Sequence, residues 1–350
     1  METIFASLQG LDTQDADVVL CQASQILNEG GLVIFPTETV YGLGGDGTLD
    51  TASAKIYQAK GRPSDNPLIL HIARAEDAEC YTYTSPLYYK LAEKFMPGPL
   101  TVILPARETV PKTVRANLPT VAVRCPSHPI AHRLIEVFGR AIAAPSANLS
   151  GKPSPTCFQH VQDDMNGRVD MIIDGGTCEV GLESTIVKLD GDSLTLLRPG
   201  KITIEELYQV CPSIHVSQAV THQLGQGETV LSPGMKYRHY APDAPLILLK
   251  GNNIQRQNYL LAQNTKIAIL CYTDEQAVYG KQENITCYPI GNSCDLHTQA
   301  HLLFFALREA DKGGYETIYA PLPPCEGIGL ALYNRMIRAA AYQILNLDEK

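Results

Sequence analysis

Short apolar runs and amphipathic stretches alternate through the first part of the chain, and Gly or Pro ends most of them. Apolar runs this short predict buried strands, and the amphipathic stretches predict helices. The predicted strands cover residues 32–35, 68–72, 100–104, 121–124, 141–144, 171–176, 184–189 and 194–198, and the predicted helices cover 15–29, 49–60, 87–95 and 130–138. Because strands outnumber helices and partly follow one another directly, we expect an α/β fold with a twisted mixed sheet.

The pattern lapses over residues 213–242, where Ser, Gln, Gly and Thr follow no clear period, and it resumes at Leu246. Beyond that point strands are predicted at 246–249, 266–271, 285–290 and 316–320, and helices at 253–263, 297–312 and 328–346. Strands that alternate with helices in this way predict a Rossmann-like α/β domain with a parallel sheet. The sequence therefore predicts two domains, at 1–212 and 243–350, joined by a linker at 213–242.

Local signals add detail to the segment between residues 42 and 61. The predicted helix 49–60 is expected to have Thr48 or Asp50 as its N-cap and to end at Gly61. Residues 42–47 read G-L-G-G-D-G and match the dinucleotide fingerprint G-x-G-x-x-G. A fingerprint begins directly at the end of a strand, whereas six residues separate this run from Phe35, so we expect a glycine-rich turn instead.

Composition argues against several classes of protein. The ten cysteines never form C-x-x-C, and the chain shows no signal sequence and no apolar run of membrane-spanning length, which predicts a cytoplasmic protein with reduced thiols. Two histidine pairs have helical spacing, namely His128 with His132 and His297 with His301. No carboxylate or cysteine accompanies either pair in ligand spacing, so no metal site is predicted. The net charge of −9 argues against a general nucleic-acid coat.

Cations gather in the first predicted domain although that domain is acidic, with 17 Lys and Arg against 25 Asp and Glu in residues 1–212. Lys60 and Arg62 lie on alternate residues of the loop that closes a predicted helix. Ser146 and Asn148 lie on alternate residues just after a predicted strand. Two cations with a hydroxyl and an amide suit a polyphosphate, since the cations neutralise it and the polar groups fix its orientation. Each residue alone fits an ordinary surface role, so the prediction depends on the set.

Four motifs occur in order: P-T-E-T-V-Y-G-L from Pro36, K-G-R-P from Lys60, A-P-S-A-N-L-S-G from Ala144, and S-P-G-M-K-Y-R-H-Y-A-P from Ser232. With these motifs the whole chain resembles the Sua5/YrdC family of threonylcarbamoyl-AMP synthases. The resemblance implies a YrdC-like catalytic domain in 1–212, a linker that acts as a lid, and a smaller C-terminal domain. It also implies that L-threonine, bicarbonate and ATP are condensed to threonylcarbamoyl-AMP and pyrophosphate.

The resemblance assigns roles to single residues. The ATP-binding set comprises Lys60, Arg62, Ser64, Thr120, Ser146, Asn148, Ser154, Arg198, Tyr237 and Arg238, and its members Lys60, Arg62, Ser146 and Asn148 form the catalytic tetrad. The threonine-binding set comprises Thr37, His71, Arg124, Ala144 and Ser184. A guanidinium such as that of Arg124 can hold a carboxylate at two points. Mg²⁺ is implied as the companion of ATP, bound mainly by phosphates and water.

The resemblance also implies what happens to the product, which is expected to pass to a tRNA threonylcarbamoyltransferase complex for t6A modification. Weak RNA binding is a further expectation, because single-domain relatives are associated with double-stranded RNA. Three alternatives stay open: an RNA-binding module, a protein related to carbamoyltransferases, and a regulatory protein whose C-terminal domain senses a ligand. The lack of interleaved aromatic and basic residues counts against the first, and the lack of C-x-x-C counts against the second.

The linker gives a testable prediction, because Tyr237 and Arg238 make it more aromatic and cationic than a passive tether needs to be. If it closes over the nucleotide, deletion of residues 232–241 should leave the N-terminal domain folded. Formation of threonylcarbamoyl-AMP should slow, because water then reaches the acyl-adenylate. Circular dichroism and product formation check this; an unchanged rate and an unchanged lifetime of bound product would show that the segment merely joins two domains.

Overall fold

The computed structural model describes residues 2–10, 13–222 and 240–348. Within these residues the chain forms two compact units, the first from 2–150 and 154–222 and the second from 151–153 and 240–348. Among them no helix combines the length and the apolar character that crossing a bilayer requires.

The first unit is built on an eleven-stranded sheet with the order β1-β8-β2-β3-β7-β4-β6-β5-β9-β10-β11. Its strands are β1 (Ile4–Ser7), β2 (Val33–Phe35), β3 (Gly42–Asp46), β4 (Ile69–His71), β5 (Leu100–Pro105), β6 (Thr120–Arg124), β7 (Ile142–Ala143), β8 (Met171–Asp174), β9 (Thr185–Asp190), β10 (Ser193–Arg198) and β11 (Ile214–Val216). Its helices are α1 (Thr13–Asn28), α2 (Asp50–Lys60), α3 (Pro86–Phe95), α4 (Pro129–Phe138), α5 (Phe158–Met165) and α6 (Ile204–Tyr208), with 3-10 helices at Ala75–Cys80 and Gln218–Val220.

Parallel and antiparallel neighbours occur in this sheet, which confirms the predicted mixed sheet. Helices cover both of its faces. Val33 and Phe35 belong to a core cluster with residues of α1 and α4, whereas Ile34 belongs to a cluster with residues of α2 and α3. The apolar runs recognised in the sequence are therefore strands buried on both faces. The sheet also continues beyond residue 212, since β11 pairs in parallel with β10.

The glycine-rich run is a strand, so the predicted turn is wrong. Residues Gly42–Asp46 form β3, which is buried throughout and pairs antiparallel with β2 and β7. A Cβ on Gly44 would lie 2.6 Å from the Phe35 ring and 2.7 Å from Ile142. Close packing of side chains from neighbouring strands, and not a turn, is the reason for glycine at this position.

The predicted N-cap of α2 is also wrong. Leu49 is the N-cap, and its side chain makes no capping hydrogen bond. The Thr48 hydroxyl instead donates to Asp46 Oδ1 at 2.7 Å, and Asp50 accepts a hydrogen bond from the Thr113 hydroxyl at 2.7 Å. The end of the helix agrees with the sequence, because Gly61 adopts the left-handed conformation at φ 61°.

The second unit contains a five-stranded parallel sheet with the order β14-β13-β15-β12-β16, as its alternating pattern predicts. Its strands are β12 (Leu246–Lys250), β13 (Ile267–Cys271), β14 (Ile285–Pro289), β15 (Thr317–Pro321) and β16 (Ile344–Asn346), and its helices are α7 (Asn253–Leu261), α8 (Gln276–Tyr279), α9 (Leu296–Asp311) and α10 (Gly329–Ala339), with a 3-10 helix at Thr273–Glu275. The predicted helix 328–346 is too long. Ala341 and Tyr342 have positive φ, which ends the helix and leads into β16.

Replacement of Gly44 by Ala should destabilise the first unit by about 1–3 kcal/mol, because the added methyl group overlaps two packed side chains. Gly42→Ala is the matched control on the same strand, since its nearest neighbouring atoms would be at 3.5 Å, an ordinary contact distance. Urea denaturation of both variants checks the difference. Equal free energies of unfolding would mean that the strand shifts to accommodate either methyl group.

Candidate active site

Polar residues collect at one edge of the first sheet because of strand register. Strand β6 pairs in parallel with β4, which places Arg124 opposite His71. On its other side β6 pairs antiparallel with β5, which places Arg124 opposite Thr101. Leu100, next to Thr101, pairs with Thr185 of β9, so Ser184 lies at the same edge. Four polar side chains thus meet where these strands begin or end, as in many α/β ligand sites.

The loop between β2 and β3 adds a buried acidic group. Thr37, Glu38 and Thr39 are each at most 5% exposed. The Thr37 hydroxyl donates to the Val40 carbonyl at 2.6 Å and lies 3.5 Å from Arg124 Nη2. The same Nη2 lies 2.7 Å from Glu38 Oε1. The structure therefore brings the predicted residues Thr37 and Arg124 together around Glu38, to which the sequence assigned no role of its own.

A second buried guanidinium bonds to one further hydroxyl, which in turn bonds to another. Arg198, the last residue of β10, donates from Nε to the Ser184 carbonyl at 3.0 Å and from Nη2 to the Ser184 hydroxyl at 3.1 Å. The Ser184 hydroxyl also lies 2.7 Å from the Thr101 hydroxyl. Ser184 was predicted as a threonine ligand and Arg198 as an ATP ligand, and here they are in direct contact. Thr101 had no sequence signal, since it lies within an apolar strand.

The protonation states at this edge follow from burial and from Arg124. Burial, aided by the charge of Arg124, lowers the pKa of His71 to about 3, so its imidazole is neutral near pH 7. The ring nitrogen Nδ1 lies 3.1 Å from the Ile69 carbonyl, to which it donates. Burial raises the pKa of Glu38, but the charge of Arg124 outweighs this, and the pKa lies below its ordinary value. Glu38 and Arg124 are therefore an ion pair near neutral pH.

The predicted tetrad lies around the loop that follows β7. Lys60 is only 3% exposed, and its ammonium group donates to the carbonyls of Ser146 and Asn148, at 2.5 Å each. The Ser146 hydroxyl donates to Asn148 Oδ1 at 2.6 Å. Arg62 is directed elsewhere, donating to the carbonyls of Asn66 and Pro67 at 3.1 and 3.2 Å. Lys60, Ser146 and Asn148 thus form one hydrogen-bonded cluster. The two bonds of Arg62 hold its side chain to the loop that follows α2.

The remaining predicted residues are less tightly grouped. Ala144 lies two residues before Ser146, and its N–H donates to the carbonyl of Ile69, which lies two residues before His71 on β4. The Ser154 hydroxyl donates to Glu183, a second buried carboxylate that the sequence had not indicated. Thr120 begins β6 and therefore lies at the opposite end of that strand from Arg124. Ser64 is exposed in the loop after α2. Tyr237 and Arg238 lie outside the described residues.

Metal ligands do not cluster in this part of the protein. Within residues 2–10, 13–222 and 240–348, no group of three or more His, Cys, Asp or Glu side chains is placed to hold a metal ion.

Two family models match the chain. One, for Sua5, YciO and YrdC proteins and described as telomere recombination, matches residues 25–200. The other is described as the C-terminal domain of threonylcarbamoyl-AMP synthase and matches residues 202–341. The threonylcarbamoyl-AMP synthase of Bacillus subtilis is 43% identical over 96% of both chains.

The chain belongs to the Sua5 family of threonylcarbamoyl-AMP synthases. The Pyrococcus abyssi enzyme of that name is 41% identical over 93% of this chain and 95% of its own length. A crystal structure of P. abyssi Sua5 complexed with L-threonine has a TM-score of 0.86 at 38% identity and covers 99% of both chains. As a Sua5-type synthase, the protein is an enzyme of the nucleotidyltransferase type, which confirms the family and the activity expected from the motifs.

Proposed function

We propose that this synthase assembles its product from L-threonine, bicarbonate and ATP at the sheet edge of the first unit. The observation that carries the proposal is the arrangement around Arg124. This buried guanidinium lies among the hydroxyl of Thr37, the carboxylate of Glu38 and the neutral imidazole of His71. The P. abyssi relative that has been solved with L-threonine supports the same ligand here.

Arg124 and the hydroxyls near it form the proposed threonine site. The guanidinium binds the amino-acid carboxylate in a charge-assisted pair. Thr37, His71 and Ser184 supply polar groups for the threonine hydroxyl, and Ala144 supplies an apolar surface for its methyl group. His71 suits this role because it stays uncharged near neutral pH and can exchange hydrogen bonds with a hydroxyl.

The loop after β7 and the loop after α2 form the proposed ATP site. Lys60 has two roles in this proposal. Its bonds to the carbonyls of Ser146 and Asn148 fix the loop that presents their side chains, and its positive charge lowers the electrostatic energy of the phosphates. Arg62 and Arg198 add positive charge, and Thr120, Ser154 and Ser64 complete the predicted contacts. Tyr237 and Arg238 would close over the nucleotide.

Mg²⁺ is proposed to arrive with ATP. Residues suited to a protein cage for the ion are not grouped in the described part of the chain, so phosphate oxygens and water would be its main ligands. Bound there, the ion would neutralise charge on the leaving pyrophosphate.

The proposed reaction needs positioning and charge neutralisation more than acid–base chemistry. The free amine of threonine attacks the carbon of bicarbonate and water leaves, which gives N-carboxy-threonine. Its carboxylate then attacks the α-phosphorus of ATP while pyrophosphate leaves. Lys60, Arg62 and Arg198 reduce the repulsion between the two anions as they approach. The product is then proposed to serve a tRNA threonylcarbamoyltransferase complex. Weak RNA binding by this chain stays a prediction.

Pyrophosphate release from ATP tests the proposal directly. Release should require threonine and bicarbonate together and should fall to background when either is omitted. Lys60→Ala should slow it on the order of 100-fold, as for loss of one electrostatic contact at a reacting anion, and Arg62→Ala should also slow it. Lys90→Ala, which removes an exposed lysine on α3, is the control and should behave as wild type. Wild-type rates in both variants, with both folded, would exclude these cations from ATP binding.

Selectivity for the substrate methyl group tests the threonine site. If Ala144 and its neighbours surround that methyl group, serine should be a poor substrate and not an inert one. One methyl group in an apolar contact is worth about 1–3 kcal/mol, or roughly 10–200-fold in kcat/KM. Competition between the two amino acids measures the ratio. Equal kcat/KM values would mean that the threonine side chain lies elsewhere.

A further inference from the structure

The ion pair between Arg124 and Glu38 is buried but incompletely hydrogen-bonded. Its two side chains are only 5% and 7% exposed, and Arg124 Nη2 lies 2.7 Å from Glu38 Oε1. Nε of Arg124 has no hydrogen-bond partner, and the Glu38 carboxylate, which lies beside Arg124 and the backbone N–H of Ser127, has more acceptor positions than these donors use. Buried polar atoms in folded proteins nearly always have partners, because leaving one without a partner is unfavourable. The pair therefore presents a free donor at Arg124 and spare acceptor positions at Glu38.

These free positions match the two charged ends of an α-amino acid. A zwitterion carries a carboxylate, which accepts hydrogen bonds, and an ammonium group, which donates up to three. The ammonium group is harder to accommodate than the carboxylate, because the site already carries positive charge. Two buried guanidiniums, those of Arg124 and Arg198, would repel an ammonium group unless a carboxylate accompanied it.

Two buried carboxylates lie among the site residues, and their partners distinguish them. Glu183 accepts the hydroxyl hydrogen of Ser154, on the side assigned to ATP, although it directly precedes Ser184 in the chain. Glu38 is distinguished by its direct contact with Arg124, the group proposed to bind the substrate carboxylate. Glu38 is therefore the carboxylate placed next to the amino-acid backbone.

We propose that Glu38 binds the α-ammonium group of threonine while Arg124 binds its carboxylate. The zwitterion lies alongside the ion pair, so that each charge of the substrate meets an opposite charge of the protein. Glu38 is thereby a specificity-determining residue. It requires a free amino group and selects against α-hydroxy acids and N-acylated amino acids. The inference depends on the proposed threonine site and adds to it the group that recognises the nitrogen, which is the atom that reacts with bicarbonate.

A pair of ligands separates this role from a purely structural one. L-Threonine and 2,3-dihydroxybutanoate differ in having an ammonium or a hydroxyl group on the α-carbon. The full-length wild type should bind threonine about 10–150-fold more tightly, the range expected for hydrogen bonds to a charged group. Glu38→Gln should bind the two ligands with nearly equal affinity while its affinity for ATP stays unchanged. Isothermal titration calorimetry measures all three dissociation constants.

Glu136→Gln is the matched control, because it makes the same substitution at an exposed carboxylate that pairs with Arg133 on α4. It should keep the wild-type preference for threonine. Glu38→Asp keeps the charge and should also keep the preference, with weaker binding overall. If Glu38→Gln loses ATP binding or melts at a lower temperature, the Glu38→Asp variant decides the question.

The outcomes are distinct. A folded Glu38→Gln variant with the wild-type preference for threonine would overturn the inference, as would a folded Glu38→Asp variant without it. A wild type that binds both ligands equally would overturn it without reference to any variant. A wild type that binds ATP but neither ligand would instead contradict the proposed threonine site itself.

Discussion

Strand β6 lies between β4 and β5 in the large sheet, parallel to one and antiparallel to the other, and its last residue is Arg124. That register places Arg124 between His71 and Thr101 and fixes the face of the sheet on which its side chain lies. Two properties of the site follow from this placement, and a third is reinforced by it. Glu38 stays ionised although it is buried, and the Thr37 hydroxyl has a cation within reach. Burial keeps His71 neutral, and the charge of Arg124 adds to that effect. A shift of one residue in the pairing would turn Arg124 to the other face and remove its part in all three.

Much of the fold could be predicted because most strands are short, apolar and buried on both faces. Their composition alone distinguishes them from the helices, and β2, β4 and β6 match the predicted runs to within about one residue at each end. The elements that were missed lack that signal. Strand β1 is the outermost strand of its sheet and is largely exposed, and β3 consists mostly of glycine. Strand β16 has only three residues and follows two residues with positive φ. Local composition could not show that neighbouring strands would pack over a glycine.

The site was predictable to a different degree. Lys60, Ser146 and Asn148 were found because their spacing is short and their chemistry complementary, and the structure joins them in one cluster. Glu38 was missed because its meaning depends on Arg124, which lies far along the chain and is brought near only by the sheet. Glu183 was missed because its partner Ser154 lies 29 residues away in the chain, and Thr101 because it lies within an apolar strand. The sequence showed which groups could bind anions, but not which groups would hold those cations in place or offset their charge.

The uncharged state of His71 has a consequence for how the enzyme responds to acidity. Burial and the charge of Arg124 keep the pKa of His71 near 3, far below the range in which most imidazoles gain a proton. Mild acidification therefore leaves the imidazole of His71 uncharged. The proposed substrate bicarbonate has no such protection, because it is converted to carbon dioxide in the surrounding solution as acidity rises. Under the proposed reaction, the acid limb of a rate profile would accordingly report changes in the substrates and not the titration of this histidine.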